Sequence, residues 1–283
     1  MPTNSETRSP VEYKTSSNAV RRAPSGPRRV SVALNSDSTS SSLRIFGNTR
    51  PRRGLSIAVV RNDSILIARG YGVRELGKPE LVDEHTLFAI GSLTKAFTGI
   101  LAAMAVDEGR AGWDEPLAAM VPGLHFAEPA MDRDLTLRDA MSHRTGLART
   151  DALWYIRPSW PRDSLVERIR YLRRQLPFRS GFLYNNFMFL LAGQAIANRQ
   201  GEPWDHLVRH RIFMPLGMTR TNTSAASLAG DPDVATPHTR VGDSVVAIPY
   251  AMIDNMGPAG SINSSAFDMA QWLRFQLDSG RVM

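Results

Sequence analysis

The most informative segment of this sequence reads GSLTKAFTG, residues 91–99. Apolar residues within and after it recur at helical spacing, so we predict a helix from about Leu93 to Glu108. Residues three apart share one helical face, so Ser92 and Lys95 can meet where this helix begins. A serine hydroxyl becomes a nucleophile only beside a base, and a lysine amine whose pKa is lowered can be that base. A helix-capping serine followed by a solvated lysine is the alternative that this motif alone leaves open.

A second motif, Tyr184-Asn185-Asn186, precedes a segment that is apolar nearly all round. We predict a buried helix over 186–199, with Gly201 just past its end. A phenol and an amide two residues apart can face one cleft. There the phenol can relay a proton, and the amide can bind a substrate carbonyl or orient the lysine. A core aromatic residue followed by a helix cap is the alternative, but two such motifs in this order favour chemistry over coincidence.

Together the two motifs resemble those of the serine β-lactamase-related superfamily, in the class C branch shared with penicillin-binding proteins, D-stereospecific peptidases and certain esterases. Supporting runs lie at 136–147, 211–219 and 259–273, and the resemblance covers roughly residues 54–283. It implies an α/β (α+β) fold of the β-lactamase/transpeptidase type. In that fold an antiparallel sheet flanked by helices stands beside an all-helical lobe, and the serine lies between the two parts.

The same resemblance implies the roles of four side chains. Ser92 would be the acylated nucleophile and Lys95 its proton partner. Tyr184 would activate the deacylating water or protonate the leaving group, and Asn186 would bind substrate. We therefore predict a serine hydrolase that acts on an amide or ester, such as a β-lactam, a D-amino-acid peptide or a small ester. The alternative is a non-catalytic or fragmentary relative that binds a ligand or partner without turnover.

One departure from the family concerns its third motif, Lys- or His-x-Gly, which lies on a later strand. The sequence ends at Met283, soon after the run at 259–273, so we expect C-terminal strands of the sheet to be missing and the domain to be incomplete at that end. Arg144-Thr145-Gly146 mimics the motif, but it precedes Tyr184 and falls in the run at 136–147. We interpret it as a loop sequence without catalytic meaning.

The formal net charge of +7 lies entirely in residues 1–53. That segment holds ten Arg and Lys against three Asp and Glu, whereas residues 54–283 hold 24 of each kind. Its serine runs and arginine pairs follow no helical or strand period. We therefore predict a disordered, basic, Ser/Arg-rich tail over 1–53 and a β-lactamase-related domain over 54–283. The domain is electrically neutral and has no nucleic-acid-reading motif, so we expect no nucleic-acid partner.

Composition and targeting signals further restrict the kinds of site, location and partner that we expect. The chain has no cysteine, which excludes disulfides, thiolate metal sites and a cysteine nucleophile. We find no signal peptide and no transmembrane segment in the sequence, so the default location is cytoplasmic, although many relatives are exported. The expected partner is a small-molecule or peptide substrate, and we expect no cofactor and no metal.

Local patterns predict the remaining elements. Two Ile- and Val-rich runs, 55–61 and 64–70, flank Asn62-Asp63 and predict a β-hairpin. A two-stranded hairpin is unstable alone, so we expect either that it pairs with a further strand between about 235 and 262, for which 244–249 is a candidate, or that strands it needs are missing from the sequence. Further helices are predicted at 136–141, 164–176, 203–213 and 265–277, the second of them with a Ser164…Glu167 capping box.

Three further features are a histidine pair, an arginine-rich segment and a group of aromatic residues. His206 and His210 have metal-ligand spacing but lack the glutamate of a HExxH motif, so we interpret them as surface residues. Seven arginines between 157 and 179 indicate a solvated helix face. Three aromatic residues can either overhang the cleft or pack under the helical lobe: Trp154, Tyr155 and Trp160.

Overall fold

The structure is a computed structural model that describes residues 54–281. The predicted tail, 1–53, lies outside the described residues. In the described part the strands are β1 (Leu55–Arg61), β2 (Ser64–Tyr71), β3 (Phe88–Ala89), β4 (His238–Val241), β5 (Ser244–Ala247) and β6 (Asn263–Ser264). The α-helices are α1 (Thr94–Asp107), α2 (Leu117–Met120), α3 (Pro129–Asp134), α4 (Leu137–Met141), α5 (Ala152–Ile156), α6 (Arg162–Glu167), α7 (Asn186–Gln200), α8 (Trp204–Val208), α9 (Gly257–Gly260) and α10 (Ala266–Leu277).

Helix α7 is the centre of the helical core, and α1, α2, α4 and α9 all pack against it. Its side chains from Asn186 to Gly193 are all buried, which explains why the sequence is apolar nearly all round. The Asn185 side chain accepts a hydrogen bond from the Met188 backbone N–H and so caps the first turn. Gly201, at a φ of 76°, ends the helix in the left-handed conformation that glycine adopts most readily.

The predicted hairpin is present, with β1 and β2 antiparallel around the turn at Asn62-Asp63. Helix α10 packs across both strands. Arg274 on this helix contacts the Asp63 carboxylate at 2.8 Å. No residue of either strand is fully buried, so the hairpin contributes little to the core.

The strand predicted at 244–249 pairs differently from our expectation. Strand β5 forms its own hairpin with β4, with His238 opposite Ala247, rather than joining β1 and β2. Gly242, at a φ of 58°, makes the tight turn between the two short runs. A local hairpin needs little loop closure, whereas pairing with β1 would span more than 170 residues of sequence.

The helix predicted over 164–176 is also corrected. Helix α6 begins at Arg162 with Pro161 at its N-cap, and Ser164 is therefore an interior residue rather than a cap. A 3₁₀ turn continues the helix to Tyr171, after which the chain is extended and Leu147 and Arg174 form an isolated bridge. The fixed φ of proline suits a helix entrance, which set the start two residues earlier than the capping pattern suggested.

The other helix predictions agree with the structure in position. Thr136 and Asp139 form a complete capping box for α4, and the Ser265 side chain caps α10. The segment predicted at 203–213 is helix α8 followed by a π-helical turn, Arg209–Phe213. Within residues 54–281, no helix combines the length and apolar character needed to cross a membrane.

Candidate active site

Ser92 lies in a 3₁₀ turn, Gly91–Leu93, that leads directly into α1. The turn is held next to the paired strands β3 and β6, because the Ile90 N–H donates to the Ile262 carbonyl at 3.0 Å. The Ser92 side chain itself is exposed at the mouth of a cleft. The hydroxyl is thus held at a helix entrance, where the first backbone N–H groups have no partner within the helix.

Lys95 follows one turn later and is almost fully buried. Its Nζ lies 3.1 Å from Ser92 Oγ, 2.7 Å from Asn186 Oδ1 and 2.6 Å from the backbone carbonyl oxygen of Ala259. The amine is therefore surrounded by three oxygen atoms that come from three separate segments. Two of them hold the amine in place, and the third belongs to the candidate nucleophile.

Tyr184 reaches the same serine from the start of α7. Its hydroxyl lies 2.6 Å from Ser92 Oγ, and either oxygen can be the donor. The His143 ring packs against the phenol ring with centroids 4.4 Å apart, and the Arg149 guanidinium lies 5.0 Å from the phenol ring centroid on the cleft side. The phenol is therefore fixed by its ring while its hydroxyl stays directed at the serine.

Burial is the main cause of a lowered pKa at Lys95, because removing the amine from water disfavours its charged form. The nearby Arg149 guanidinium lowers this pKa further, whereas Tyr184 and the Asp151 carboxylate oppose the shift. A lowered pKa increases the neutral fraction of the amine near physiological pH. The neutral amine is the form that can accept a proton from a serine hydroxyl.

Asn186 is held at both ends of its amide. Its Oδ1 accepts from Lys95 Nζ, and its Nδ2 donates to Asp151 Oδ1 at 2.9 Å. Because an ionised carboxylate can only accept, this arrangement fixes which end of the amide carries oxygen. This geometry allows Asn186 to orient the lysine, which is one of the two roles that its residue type suggested, and its predicted role in binding substrate stays a prediction.

The cleft beside Ser92 has a volume of about 470 Å³. Its walls are largely apolar and aromatic. They are formed by Gly91, Ser92, Arg149, Asp151, Ala152, Trp154, Tyr155, Asn186, Ile253, Met256, Ala259 and Gly260. Of the three aromatic residues considered above, Trp154 and Tyr155 line the cleft. Trp154 also packs against the core, as Trp160 does, but Trp160 lies under the Arg168 guanidinium and does not line the cleft.

Three groups of this site were not identified from the sequence. Asp151 and Arg149 lie in the loop after His143, where no motif marks them. The Ala259 carbonyl belongs to the main chain, and any residue type at that position would supply it. The run at 259–273 matched the family, but nothing in it indicates an acceptor for the lysine.

The structure places the other candidates away from this site. Arg144-Thr145-Gly146 follows α4, and Arg144 pairs with the buried Asp139 carboxylate at 2.5 Å. His206 and His210 are exposed. Several arginines between 157 and 179 form individual ion pairs rather than one solvated face, for example Arg162 with Asp205. Within the described range, no group of three or more acidic or histidine side chains is arranged to hold a metal.

Comparisons with known proteins agree with this architecture. A family model described as Beta-lactamase matches residues 43–283. Among curated proteins, the unguisins hydrolase ungD of Aspergillus violaceofuscus is 29% identical over 234 residues, which cover 78% of this chain and 41% of that protein. The chain thus spans less than half the length of this relative.

Solved structures extend the comparison. The D-amino acid amidase of Ochrobactrum anthropi SV3 superposes with a TM-score of 0.70 at 24% identity, over 82% of this chain and 67% of the amidase chain. The octameric penicillin-binding protein homologue of Pyrococcus abyssi superposes with a TM-score of 0.69 at 22% identity, over 81% of this chain and 53% of that chain. These likenesses confirm the predicted α/β class and the β-lactamase/transpeptidase type of fold. Since the family model matches well over half of the sequence, the chain belongs to the beta-lactamase family.

Proposed function

We propose that this chain is a serine hydrolase that cleaves an amide or ester through an acyl-enzyme on Ser92. The observation that carries the proposal is the position of Ser92 Oγ, which lies 3.1 Å from Lys95 Nζ and 2.6 Å from the Tyr184 hydroxyl. A nucleophile within hydrogen-bond distance of two groups that can carry its proton is the arrangement that acyl transfer requires.

In the acylation step, neutral Lys95 donates its two N–H bonds to Asn186 Oδ1 and the Ala259 carbonyl. Its lone pair is then free to face Ser92. As Ser92 Oγ attacks the substrate carbonyl carbon, the serine proton moves to Lys95. The Ser92 backbone N–H, at the helix entrance, is a donor for the developing oxyanion. Tyr184 then gives its proton to the leaving group as the scissile bond breaks, and the resulting phenolate recovers a proton from Lys95.

In the deacylation step, water replaces the leaving group beside Tyr184. As the water oxygen attacks the ester carbonyl carbon, Tyr184 takes a proton from the water and passes its own hydroxyl proton to neutral Lys95. The bond to Ser92 Oγ then breaks, and the serine recovers a proton through Lys95. The two steps consume one water molecule and leave the enzyme unchanged.

The lining of the cleft indicates which kind of acyl group the proposed hydrolase would accept. Trp154, Tyr155, Ile253 and Met256 offer apolar surface next to the nucleophile. The two charged lining residues, Arg149 and Asp151, pair with each other. Such a cleft favours a neutral acyl group with an apolar or aromatic side chain. The unguisins hydrolase and the D-amino acid amidase, to which the chain is similar, are both named as hydrolytic enzymes.

Active-site labelling tests the proposal. A neutral alkyl fluorophosphonate phosphonylates a nucleophilic serine, and peptide mass spectrometry locates the modification. We expect labelling of Ser92 in the intact chain and none in Ser92→Ala. Ser142→Ala removes a serine that bonds the Arg138 carbonyl away from the cleft, and it should label as the unmodified chain does. A folded chain that is unlabelled at Ser92 after prolonged exposure would refute the proposal and favour a ligand-binding relative without turnover.

A further inference from the structure

We propose that Asp151 is a positioning residue that holds both proton carriers of the site. It acts on Lys95 through Asn186, and on Tyr184 through Arg149. The inference rests on the proposed hydrolase function and adds to it a residue that no sequence motif indicates. It follows from the contacts of both carboxylate oxygens of Asp151, which are described in turn below.

The first oxygen of Asp151 fixes the amide of Asn186. Oδ1 accepts from Asn186 Nδ2 at 2.9 Å and from the Trp154 indole N–H at 3.1 Å. The opposite end of the same amide accepts from Lys95 at 2.7 Å. Without the carboxylate, the Asn186 amide could rotate and present its NH₂ group to Lys95, which would repel an ammonium group or occupy the lone pair of a neutral amine. Asp151 thereby sets the direction of the lysine side chain.

The second oxygen fixes Arg149. Oδ2 pairs with Arg149 Nε, and the guanidinium is thereby held against the phenol face of Tyr184, 5.0 Å from the ring centroid. More than half of the Arg149 side chain is exposed, so without its partner it would have many rotamers in water. Asp151 thus holds the Arg149 guanidinium against the ring of Tyr184, whose hydroxyl is hydrogen-bonded to Ser92.

The backbone between these two residues is held in an uncommon conformation. Thr150 has a φ of 45°, although a β-branched residue disfavours the left-handed region. This kink lies between Arg149 and Asp151, both of which line the cleft. Retained backbone strain of this kind is concentrated where a site needs a fixed geometry. It is consistent with a loop shaped to present the pair rather than a loop of arbitrary path.

The pH dependence of Ser92 labelling distinguishes a positioning role of Asp151 from a purely structural one, because it depends on the charges near Lys95. The charged and titratable side chains facing Lys95 are Tyr184, Asp151, Arg149 and His143. Asp151 raises the pKa of Lys95 and Arg149 lowers it. Since the neutral amine accepts the proton, labelling should accelerate as the pH rises through this pKa. Removing the anion should move that rise to lower pH, and removing the cation should move it to higher pH.

The experiment measures the rate of Ser92 labelling by a neutral alkyl fluorophosphonate against pH. Asp151→Asn is expected to lower the plateau rate by roughly ten- to hundredfold, by analogy with the loss of a partner that orients a metal-binding side chain. Its midpoint should shift to lower pH, while that of Arg149→Gln shifts to higher pH. Asp151→Glu keeps the charge and displaces it, so it should lose rate with a smaller shift of its midpoint than Asp151→Asn shows. Asp163→Asn, an exposed residue on α6, is the control and should match the unmodified chain.

The results distinguish failure of the hydrolase proposal from failure of the role assigned to Asp151. An unlabelled Ser92 in the intact chain would overturn the hydrolase proposal and the role of Asp151 with it. Normal labelling of the intact chain and an Asp151→Asn rate within twofold of it would overturn only the role of Asp151. Midpoints that move in the same direction in Asp151→Asn and Arg149→Gln would do the same. If Asp151→Asn does not fold by circular dichroism, Asp151→Glu decides, because a full plateau rate in that variant contradicts the proposal.

Discussion

Lys95 has three oxygen atoms within 3.1 Å of its amine, and its protonation state decides how it can use them. A charged ammonium would donate to all three and would have no lone pair for the serine proton. A neutral amine satisfies the two buried acceptors and still faces the serine with its lone pair. The burial that lowers the pKa of Lys95 therefore has a chemical consequence, because it favours the form that can act as a base.

The neighbouring His143 gives a prediction about stability. Burial, and to a smaller extent Lys95, lower the pKa of His143 from 6.5 to about 4. Between these values the unfolded chain binds more protons than the folded one. The free energy of unfolding should therefore fall as the pH drops through this window, by roughly 3 kcal/mol in all. Urea unfolding at a series of pH values between 7.5 and 4 measures this loss.

A matched variant isolates the histidine contribution. His143 has a φ of 56°, which asparagine tolerates, and its Nδ1 accepts from the Asn185 N–H at 3.1 Å, which an asparagine oxygen can also do. His143→Asn should therefore flatten the pH dependence over that window while remaining folded at neutral pH. Equal slopes in the two proteins would assign the acid sensitivity to carboxylates instead.

At the scale of elements, the short helix α9 supplies the Ala259 carbonyl to Lys95. Its position depends on close approach to its neighbours. Pro258 packs directly over Gly193 of α7, where any side chain would overlap the proline ring. The Pro258 carbonyl in turn accepts from Thr98 Oγ1 at 2.7 Å. A glycine in the middle of a buried helix thus determines where an acceptor of the candidate site lies.

Two glycine-to-alanine changes test this packing. Gly193→Ala should displace α9, lowering the free energy of unfolding by about 1–3 kcal/mol and slowing Ser92 labelling. Gly99→Ala in α1 is the control, since its new methyl would meet only Met141 at 3.8 Å. That change should leave stability unaltered or raise it by up to about 1 kcal/mol. Chemical denaturation combined with fluorophosphonate labelling measures both effects, and equal behaviour of the two variants would contradict the dependence on α9.

The elements that sequence patterns located well are those whose signals are local. Thr136 and Ser265 precede acidic residues by three positions, and both cap helices as their spacing indicates. Ser164 has the same spacing, but Pro161 lies closer to the helix start and takes the N-cap position. Strand β5 was located by composition, whereas its partner was not, because pairing depends on distant parts of the chain.

The residues of the candidate site also divide into those that local sequence patterns identify and those that they do not. Ser92 and Lys95 share one helical turn, and Tyr184 and Asn186 flank a helix start, so short motifs contain all four side chains. That these two segments meet in one cleft could be stated only through the family resemblance. Asp151 lies in a loop whose strained backbone has no sequence signature.

At the scale of the whole molecule, burial is unequal between the helices and the first hairpin. Every residue of α7 from Asn186 to Gly193 is buried, whereas β1 and β2 contain no fully buried residue. Local opening requires less energy where few apolar contacts are lost. The described part of the chain therefore combines a stable helical body with a weakly secured pair of strands.

Hydrogen exchange can measure this difference. We expect backbone amides of β1 and β2 to exchange at least about a hundredfold faster than those in the centre of α7. Peptide-resolved mass spectrometry of the full chain gives the rates, with α10 as an internal comparison because it contacts both strands. Equal protection of the hairpin and α7 would mean that the strands are secured by contacts beyond those in residues 54–281.

The Ala259 carbonyl has a consequence for how this protein can be studied and how it can vary. The main-chain oxygen is present whichever side chain stands at position 259, and that residue is already alanine, so an alanine scan leaves this acceptor untested. The positions that determine where this oxygen lies are its neighbours, above all Gly193, where an added methyl would overlap the Pro258 ring. Because the Ala259 side chain is buried, substitutions at this position would report on packing, whereas the proposed chemistry depends on the main-chain oxygen that the residue contributes.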